Sequence, residues 1–234
     1  MKVFIGMETS GATRRAFQSA GCDVFSCDLL PAQDSGERHL VGDVFAMLDL
    51  LTACGWKPDL ALFHPDCTWL TVSAAWALKD PDFIKYPGVG YHQRVKPGTL
   101  TGAARRAAQA QSVQLVKRIW SLDIKCVAIE NPVGQLSTLW MKPTQIIQPY
   151  EFGENASKKT CLWLRNLPAL KGTGRFPGRW TEWPHGSGKY VERWANQTDS
   201  GQSNVTPSDD RWQDRADTYP GISDAMVQQW LTHN

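Results

Sequence analysis

Four short apolar runs, separated by stretches long enough to hold helices, constrain the fold of this chain more than any other feature. They are VFIGM (residues 3–7), DVFSC (23–27), DLALF (59–63) and CVAI (126–129). Such alternation marks a parallel sheet, because parallel neighbours need a crossover of about a dozen residues or more. The crossover before CVAI is explicit. In AARRAAQAQSVQLVKRIW (103–120), Ala103, Ala104, Ala107, Ala108, Leu115, Val116, Ile119 and Trp120 follow a helical pattern. The expected fold is therefore α/β, with a doubly wound, mostly parallel sheet. A later pair of runs, IIQPYEF and TCLWL, lies too close for a helical crossover and predicts an antiparallel hairpin at one edge. At 234 residues the chain accommodates one main domain, expected over 1–170. A small irregular lobe rich in Gly, Pro, Trp and Arg is expected over 171–215. Residues 216–234 should return as a C-terminal helix, near 223–231.

Lys and Arg number 25 against 23 Asp and Glu, a net charge of only +2, so a polyanionic partner has to be met by a local patch. The six cysteines (22, 27, 54, 67, 126, 161) form no Cys-x-x-Cys pair, and the N-terminus runs straight into the strand-like KVFIGM. The expectation is a soluble, cytoplasmic protein of a reducing compartment, with no membrane partner, no metal site and no structural disulfide.

Polar residues gather where the runs end. Glu8 follows the first, Asp28 the second, His64 to Cys67 the third and Glu130 the fourth, while Asp43 closes the short run HLVGD. In an open α/β sheet, ligands bind outside the carboxyl ends of the strands, so these residues are candidates for one site. The first turn, ETSGATRRAF, holds Ser10 and Gly11 between a strand and a helix. It suits an approaching ligand, and equally an ordinary tight turn. Asp28, about 20 residues on, stands where an acid accepts hydrogen bonds from ribose hydroxyls. Without further glycines for a pyrophosphate, a nucleoside cofactor such as S-adenosylmethionine fits better than a dinucleotide. Cys67 is either a nucleophile or a small buried hydrophobe. A thiol is only about 3 per cent thiolate at pH 7. A helix opening at Pro65–Thr68 would activate it through its dipole. Glu130 is either a working acid, its pKa raised by desolvation, or a hydrogen-bonded strand-end carboxylate.

The order Ser10-Gly11, Asp28, Gly42-Asp43, Pro65-Asp66-Cys67, Glu130-Asn131-Pro132 resembles that of the DNA (cytosine-5) methyltransferases. HPDCTWLTVS, AIENPVGQLS, the block from Pro143-Thr144-Gln145 through KKTCLWLRNLP, and TYPGISDAMVQQW resemble a compact phage- and prophage-encoded branch of that family. The resemblance implies a Rossmann-like, class I S-adenosylmethionine-dependent fold in a bacterial host cell, acting as a monomer on double-stranded DNA. It implies that Cys67 adds to C6 of a flipped cytosine and that Glu130 contacts N3 and the exocyclic amine. The methyl group passes from S-adenosylmethionine to C5, because C5 becomes nucleophilic only after addition at C6.

The same resemblance implies that Asp28 holds the cofactor ribose and Asp43 lies near the adenine amine. Ser10 and Gly11 would cradle the cofactor, with Glu8, His64 and Pro65 beside them. Pro-Asp-Cys stands where Pro-Pro-Cys is usual, so Asp66 disfavours the thiolate unless its carboxylate points away. Ser157-Lys158-Lys159-Thr160 replaces Gln-x-Arg-x-Arg, so Lys158 or Lys159 takes the place of an arginine contacting the cytosine and its phosphates. The loop 79–102, carrying Arg94 and Lys96, matches a DNA-closing loop or is a solvated insertion. Segment 171–196 takes the place of the target-recognition region. Its five cations, among them Arg175, Arg179, Lys189 and Arg193, stand against two carboxylates and are interleaved with Trp and Tyr. They suit phosphate contact and base stacking, or the aromatics form a mini-core. Two other functions fit the residues: methylation of free cytosine nucleotides, and a non-catalytic DNA-binding or decoy role.

Overall fold

A computed structural model describes residues 1–204 and 218–232. The last part of the expected lobe (205–215), and residues 216–217 and 233–234 of the expected C-terminal segment, lie outside the described residues. The chain divides into two compact units: Met1–His64, Asp123–Glu130 and Pro143–Asn234 in the larger, Pro65–Leu122 and Asn131–Lys142 in the smaller.

The larger unit is built on seven strands. These are β1 (Lys2–Gly6), β2 (Asp23–Asp28), β3 (His39–Val41), β4 (Leu60–Phe63), β5 (Cys126–Pro132), β6 (Gln145–Ile147) and β7 (Thr160–Arg165), in the order β3-β2-β1-β4-β5-β7-β6. β1 pairs in parallel with β2 and β4, β2 with β3, and β4 with β5, whereas β6 and β7 are antiparallel. The fold is thus α/β on a mostly parallel, Rossmann-like sheet, and the expected hairpin occupies its edge. The order reverses between β1 and β4, which makes their carboxyl ends the switch point where ligands bind in such sheets.

The central strands are buried on both faces, as parallel strands covered on two sides must be. Alternation sorts their residues. Val3, Ile5, Leu60, Leu62, Cys126 and Ala128 join Phe17 of α1 (Ala12–Ser19) and the C-terminal helix's Ile222, Ala225, Met226 and Trp230 in one core. Phe4 meets Phe63 at 6.0 Å between ring centroids. Each of these fully buried Leu, Ile and Phe side chains contributes about 1.5–3 kcal/mol. α2 (Val44–Ala53) buries Val44, Phe45, Leu48 and Leu51 and starts on Asp43, whose carboxylate accepts from the amides of Phe45 and Ala46.

The smaller unit holds a 3₁₀ segment (Val72–Leu78), α3 (Gly102–Trp120) and the short α4 (Leu136–Leu139). α3 has the expected extent, but its buried stripe is Gly102, Arg105, Gln109, Val113, Val116 and Ile119. Ala103, Ala104 and Ala107, expected on the apolar face, are exposed. The larger unit also contains a two-stranded antiparallel ribbon, β8 (Arg179–Glu182) and β9 (Tyr190–Arg193), where an irregular lobe was expected, and the C-terminal helix, α5 (Pro220–Leu231). α5 lies against α1, with the Thr13 and Ser223 hydroxyls 3.3 Å apart. No helix among the described residues is long and apolar enough to cross a membrane.

Candidate active site

In the smaller unit, Cys67 sits in a turn whose backbone is pinned along its length. Five of the six consecutive carbonyls from Pro65 to Leu70 have assigned donors. The Asn131 amide donates to the Pro65 carbonyl at 2.7 Å. The Cys67 carbonyl accepts from the Leu70 and Thr71 amides at 2.9 and 3.1 Å. Arg105 donates to the Thr68 carbonyl at 3.0 Å, and Gln109 to the Trp69 carbonyl at 3.0 Å. The Gln135 amide donates to the Leu70 carbonyl at 2.7 Å. Gly134 permits the last approach, since a Cβ there would lie 2.3 Å from the Leu70 oxygen. Carbonyls satisfied one by one in this way hold a backbone in one conformation.

No α-helix opens at Cys67. The turn closes on the Cys67 carbonyl, Thr71 is extended (φ −73°, ψ 146°), and the 3₁₀ segment begins only at Val72. The expected helix-dipole activation of the thiol is therefore absent. Asp66 is exposed, and its Oδ1 accepts from the Thr68 amide at 2.9 Å and the Thr68 hydroxyl at 2.6 Å. Its charge is thus held on Thr68, which weakens the like-charge objection to the neighbouring thiolate. Arg105 and Gln109 went unrecognised in the sequence. The available signal was their spacing: 105, 109, 113 and 116 continue one helical stripe toward the N-terminus.

In the larger unit, Glu130 lies within β5 and not beyond its end, one residue past the last pairing with β4, Phe63–Ile129. It is buried. Its Oε2 lies 3.2 Å from His64 Nδ1 and accepts from the Thr218 hydroxyl at 3.1 Å. Burial pushes the Glu130 pKa up, but His64, Lys158 and the Thr218 hydrogen bond outweigh it and hold the carboxyl below its ordinary range. Of the two readings of Glu130, the acid raised by desolvation is reversed and the hydrogen-bonded carboxylate holds, with side chains as its partners. For His64, burial pushes the pKa down, yet Glu130 and Glu8 together raise it above the ordinary histidine value despite opposition from Lys158. Of the two candidate lysines, the half-buried Lys158 joins this cluster; Lys159 is exposed.

Glu8 is buried, and its Oε1 accepts from the Ser10 hydroxyl at 2.9 Å and the Thr13 amide at 3.0 Å, capping α1 from outside. Glu8 Oε2 and His64 Nε2 are buried without a hydrogen-bond partner. Both belong to the switch point, where an ammonium or ribose hydroxyl would satisfy the carboxylate oxygen. Gly11 has φ +69°, and a Cβ on it would lie 2.1 Å from Asp34 Oδ2. The crowding comes from the protein's own Asp34, which is ion-paired to the buried Arg14 and to Arg15. Asp28 ends β2 and accepts from the Leu30 amide at 3.0 Å; Asp43 caps α2. Pro65 is buried in the smaller unit.

Arg94 and Lys96 are exposed on the loop of the smaller unit. Around the ribbon, Arg175 pairs with Glu192 and lies 5.4 Å from the Tyr150 ring centroid and 5.9 Å from that of Trp194. These two rings stack at 4.0 Å, the mini-core alternative for at least one tryptophan. Arg179 pairs with Asp199, Arg193 donates to the Asp199 and Glu192 carbonyls, and Lys189 is exposed. None of the six cysteines is in a disulfide. Among the described residues no group of three His, Cys, Asp or Glu is disposed to hold a metal ion.

No protein-family model matches the chain. It is 36% identical over 86 residues to a fibroblast growth factor receptor-like 1 of Gallus gallus, a match covering 37% of this chain. The matched stretch spans 14% of that relative's length.

Proposed function

We propose that this chain is a DNA (cytosine-5) methyltransferase using S-adenosylmethionine. The observation that carries the reading is the order along two adjacent parallel strands: β4 ends at Phe63, four residues before Cys67, and β5 carries Glu130. The sheet order, closed by an antiparallel hairpin, agrees with the class I methyltransferase frame that the motif order implies.

In this reading the Cys67 thiolate adds to C6 of a cytosine taken out of the duplex, and the ring becomes an enamine that is nucleophilic at C5. S-adenosylmethionine supplies an electrophilic methyl group on sulfur. Glu130 binds the far edge of the ring, accepting from the exocyclic amine, while Lys158 offsets charge beside it. The pinned turn contributes position: a thiol that need not search for its approach angle recovers part of the entropy of the bimolecular step. For the cofactor, the unpartnered Glu8 Oε2 suits its ammonium, and Asp28 at the end of β2 suits its ribose. Asp43 and Ser10 already serve as local caps, so their cofactor roles would be added to structural ones.

One observation favours a second reading, a methyltransferase for free cytosine nucleotides: Arg175 and Arg179 are committed to Glu192 and Asp199 within the chain. Incubation with S-adenosylmethionine and either duplex DNA or cytosine nucleotides separates the two. The first reading yields 5-methylcytosine in DNA, and Cys67→Ser yields none. Methylation of nucleotides alone supports the second, and no methylated product from either substrate rejects both.

A further inference from the structure

We propose that His64 supplies the proton that Glu130 passes to the substrate ring, so that the two side chains act as one acid sharing a single proton; this deepens, and rests on, the cytosine reading. Both side chains belong to the larger unit, at the carboxyl edge of neighbouring strands, with His64 Nδ1 3.2 Å from Glu130 Oε2. The Thr218 hydroxyl holds that same oxygen from the other side of the sequence, at 3.1 Å. A carboxyl whose proton affinity is held down by its neighbours has little proton of its own to give near neutrality.

The chemistry nevertheless demands one. As the Cys67 thiolate forms the S–C6 bond, the C5=C6 pair moves to C4–C5 and the C4=N3 pair moves onto N3, which must be protonated. A proton passing from Nδ1 to Oε2, as the carboxyl releases one to N3, leaves neutral imidazole and a carboxylate. After methyl transfer, C5 loses its proton to solvent and its bonding pair restores C5=C6. The thiolate departs with the S–C6 pair, and N3 returns its proton to the histidine–glutamate pair. The pair ends as it began. A carboxylate that accepts and a paired acid that donates also match the edge of cytosine, an amine beside an unprotonated nitrogen. The edge of uracil or thymine presents the reverse.

Two further observations separate this role from simple bracing. His64 Nε2 is buried and has no hydrogen-bond partner, whereas the large majority of buried side-chain polar atoms have one. The charges that face the ring are Glu130 from β5, Glu8 from the turn after β1 and Lys158 from the segment before β7, two carboxylates against one ammonium. They favour the imidazolium, so the proton is present until the pH rises through a value above about 6.5.

The test is the pH profile of kcat for wild type and His64→Gln on duplex DNA, with KM for DNA measured alongside. Glutamine keeps an N–H donor toward Glu130 but no titratable proton, so a bracing role survives the change. The expected result is a fall in kcat on the order of 100-fold, a KM within about twofold, and loss of the alkaline limb. An unchanged kcat or an unchanged alkaline limb in His64→Gln overturns the proposal. If the variant does not fold, histidine-labelled wild type decides by NMR. The His64 ring should titrate above the ordinary range and fall back in Glu130→Gln; a ring that is neutral at pH 7 overturns the shared proton. A wild type that methylates no DNA at any pH removes the cytosine reading itself and this proposal with it. That outcome is distinct from an active wild type that is indifferent to His64.

Discussion

Arg105→Met tests whether the turn around Cys67 is held from α3 as the hydrogen bonds imply. Arg105 is buried at 5% exposure, donates to the Thr68 carbonyl at 3.0 Å and lies 5.2 Å from the Trp69 ring centroid. Its second contact, to the Leu100 carbonyl at 3.5 Å, is long enough to neglect. A hydrogen bond from a charged donor contributes about 1.5–3 kcal/mol, and the cation–π contact about 0.5–1 kcal/mol. Against this stands the cost of burying the guanidinium, visible in its lowered pKa and in a buried Nε without a partner. That term returns about 1 kcal/mol when methionine replaces it, while the methionine retains the packing of the stem. The net loss is about 2 kcal/mol, or a roughly 30-fold increase in the population with the turn open. Urea unfolding should show the loss in stability. Alkylation of Cys67 by iodoacetamide, mapped by peptide mass, should accelerate by at most that factor, since the half-buried thiol is already partly accessible with the turn closed. A variant within about 0.5 kcal/mol of wild type, with an unchanged alkylation rate, would refute the claim that α3 fixes the thiol.

Two further outcomes concern the first turn of the larger unit. Gly11→Ala places a Cβ at φ +69° against Asp34, so it should cost about 2–3 kcal/mol in urea unfolding, more than the backbone term of about 1 kcal/mol alone. A loss no greater than that backbone term would mean the Asp34 cluster yields freely. Burial raises the Asp34 pKa, but the Gly36 amide and the Arg14 and Arg15 guanidiniums win and hold it at about 2. A depressed carboxyl stabilises the fold above its unfolded value and loses that contribution as pH falls through its folded value. Acid unfolding followed by circular dichroism should therefore deepen from about pH 4 toward 2. Asp34→Asn, which leaves Arg14 buried without its counterion, should abolish that dependence at a cost of about 3 kcal/mol. An Asp34→Asn variant with the wild-type acid profile would contradict the assignment.

The strands were legible because burial on both faces leaves continuous apolar runs: β1, β2, β4 and the first four residues of β5 lie where VFIGM, DVFSC, DLALF and CVAI predict them. The edge hairpin was legible from loop length alone. α3 was legible in extent but not in orientation. Hydrophobicity ranks alanine above arginine and glutamine, whereas here Arg105 and Gln109 are drawn inward by carbonyls that the turn at 68–69 leaves without backbone partners. The ribbon β8–β9 escaped because short strands spaced by Gly and Pro carry little periodicity. Cys67 lies in the turn after β4 and Glu130 within β5, where strand ends were expected to place them, and the surroundings of each differ from expectation. A helix was expected to open at Pro65–Thr68, yet the chain closes a single turn there and the 3₁₀ segment begins only at Val72. A desolvated acid stood as one of two readings of Glu130 because His64 and Lys158, 66 and 28 residues away, have no local signature beside it.

The central claim is that the Cys67 sulfur bonds C6 of a cytosine in DNA. Duplex DNA carrying 5-fluorocytosine tests it most directly, because fluorine at C5 blocks the elimination that frees the enzyme. With S-adenosylmethionine present, a covalent complex should form and mass spectrometry should place the adduct on the peptide containing Cys67. No complex with any 5-fluorocytosine duplex, or a complex that still forms in Cys67→Ser, would contradict the account.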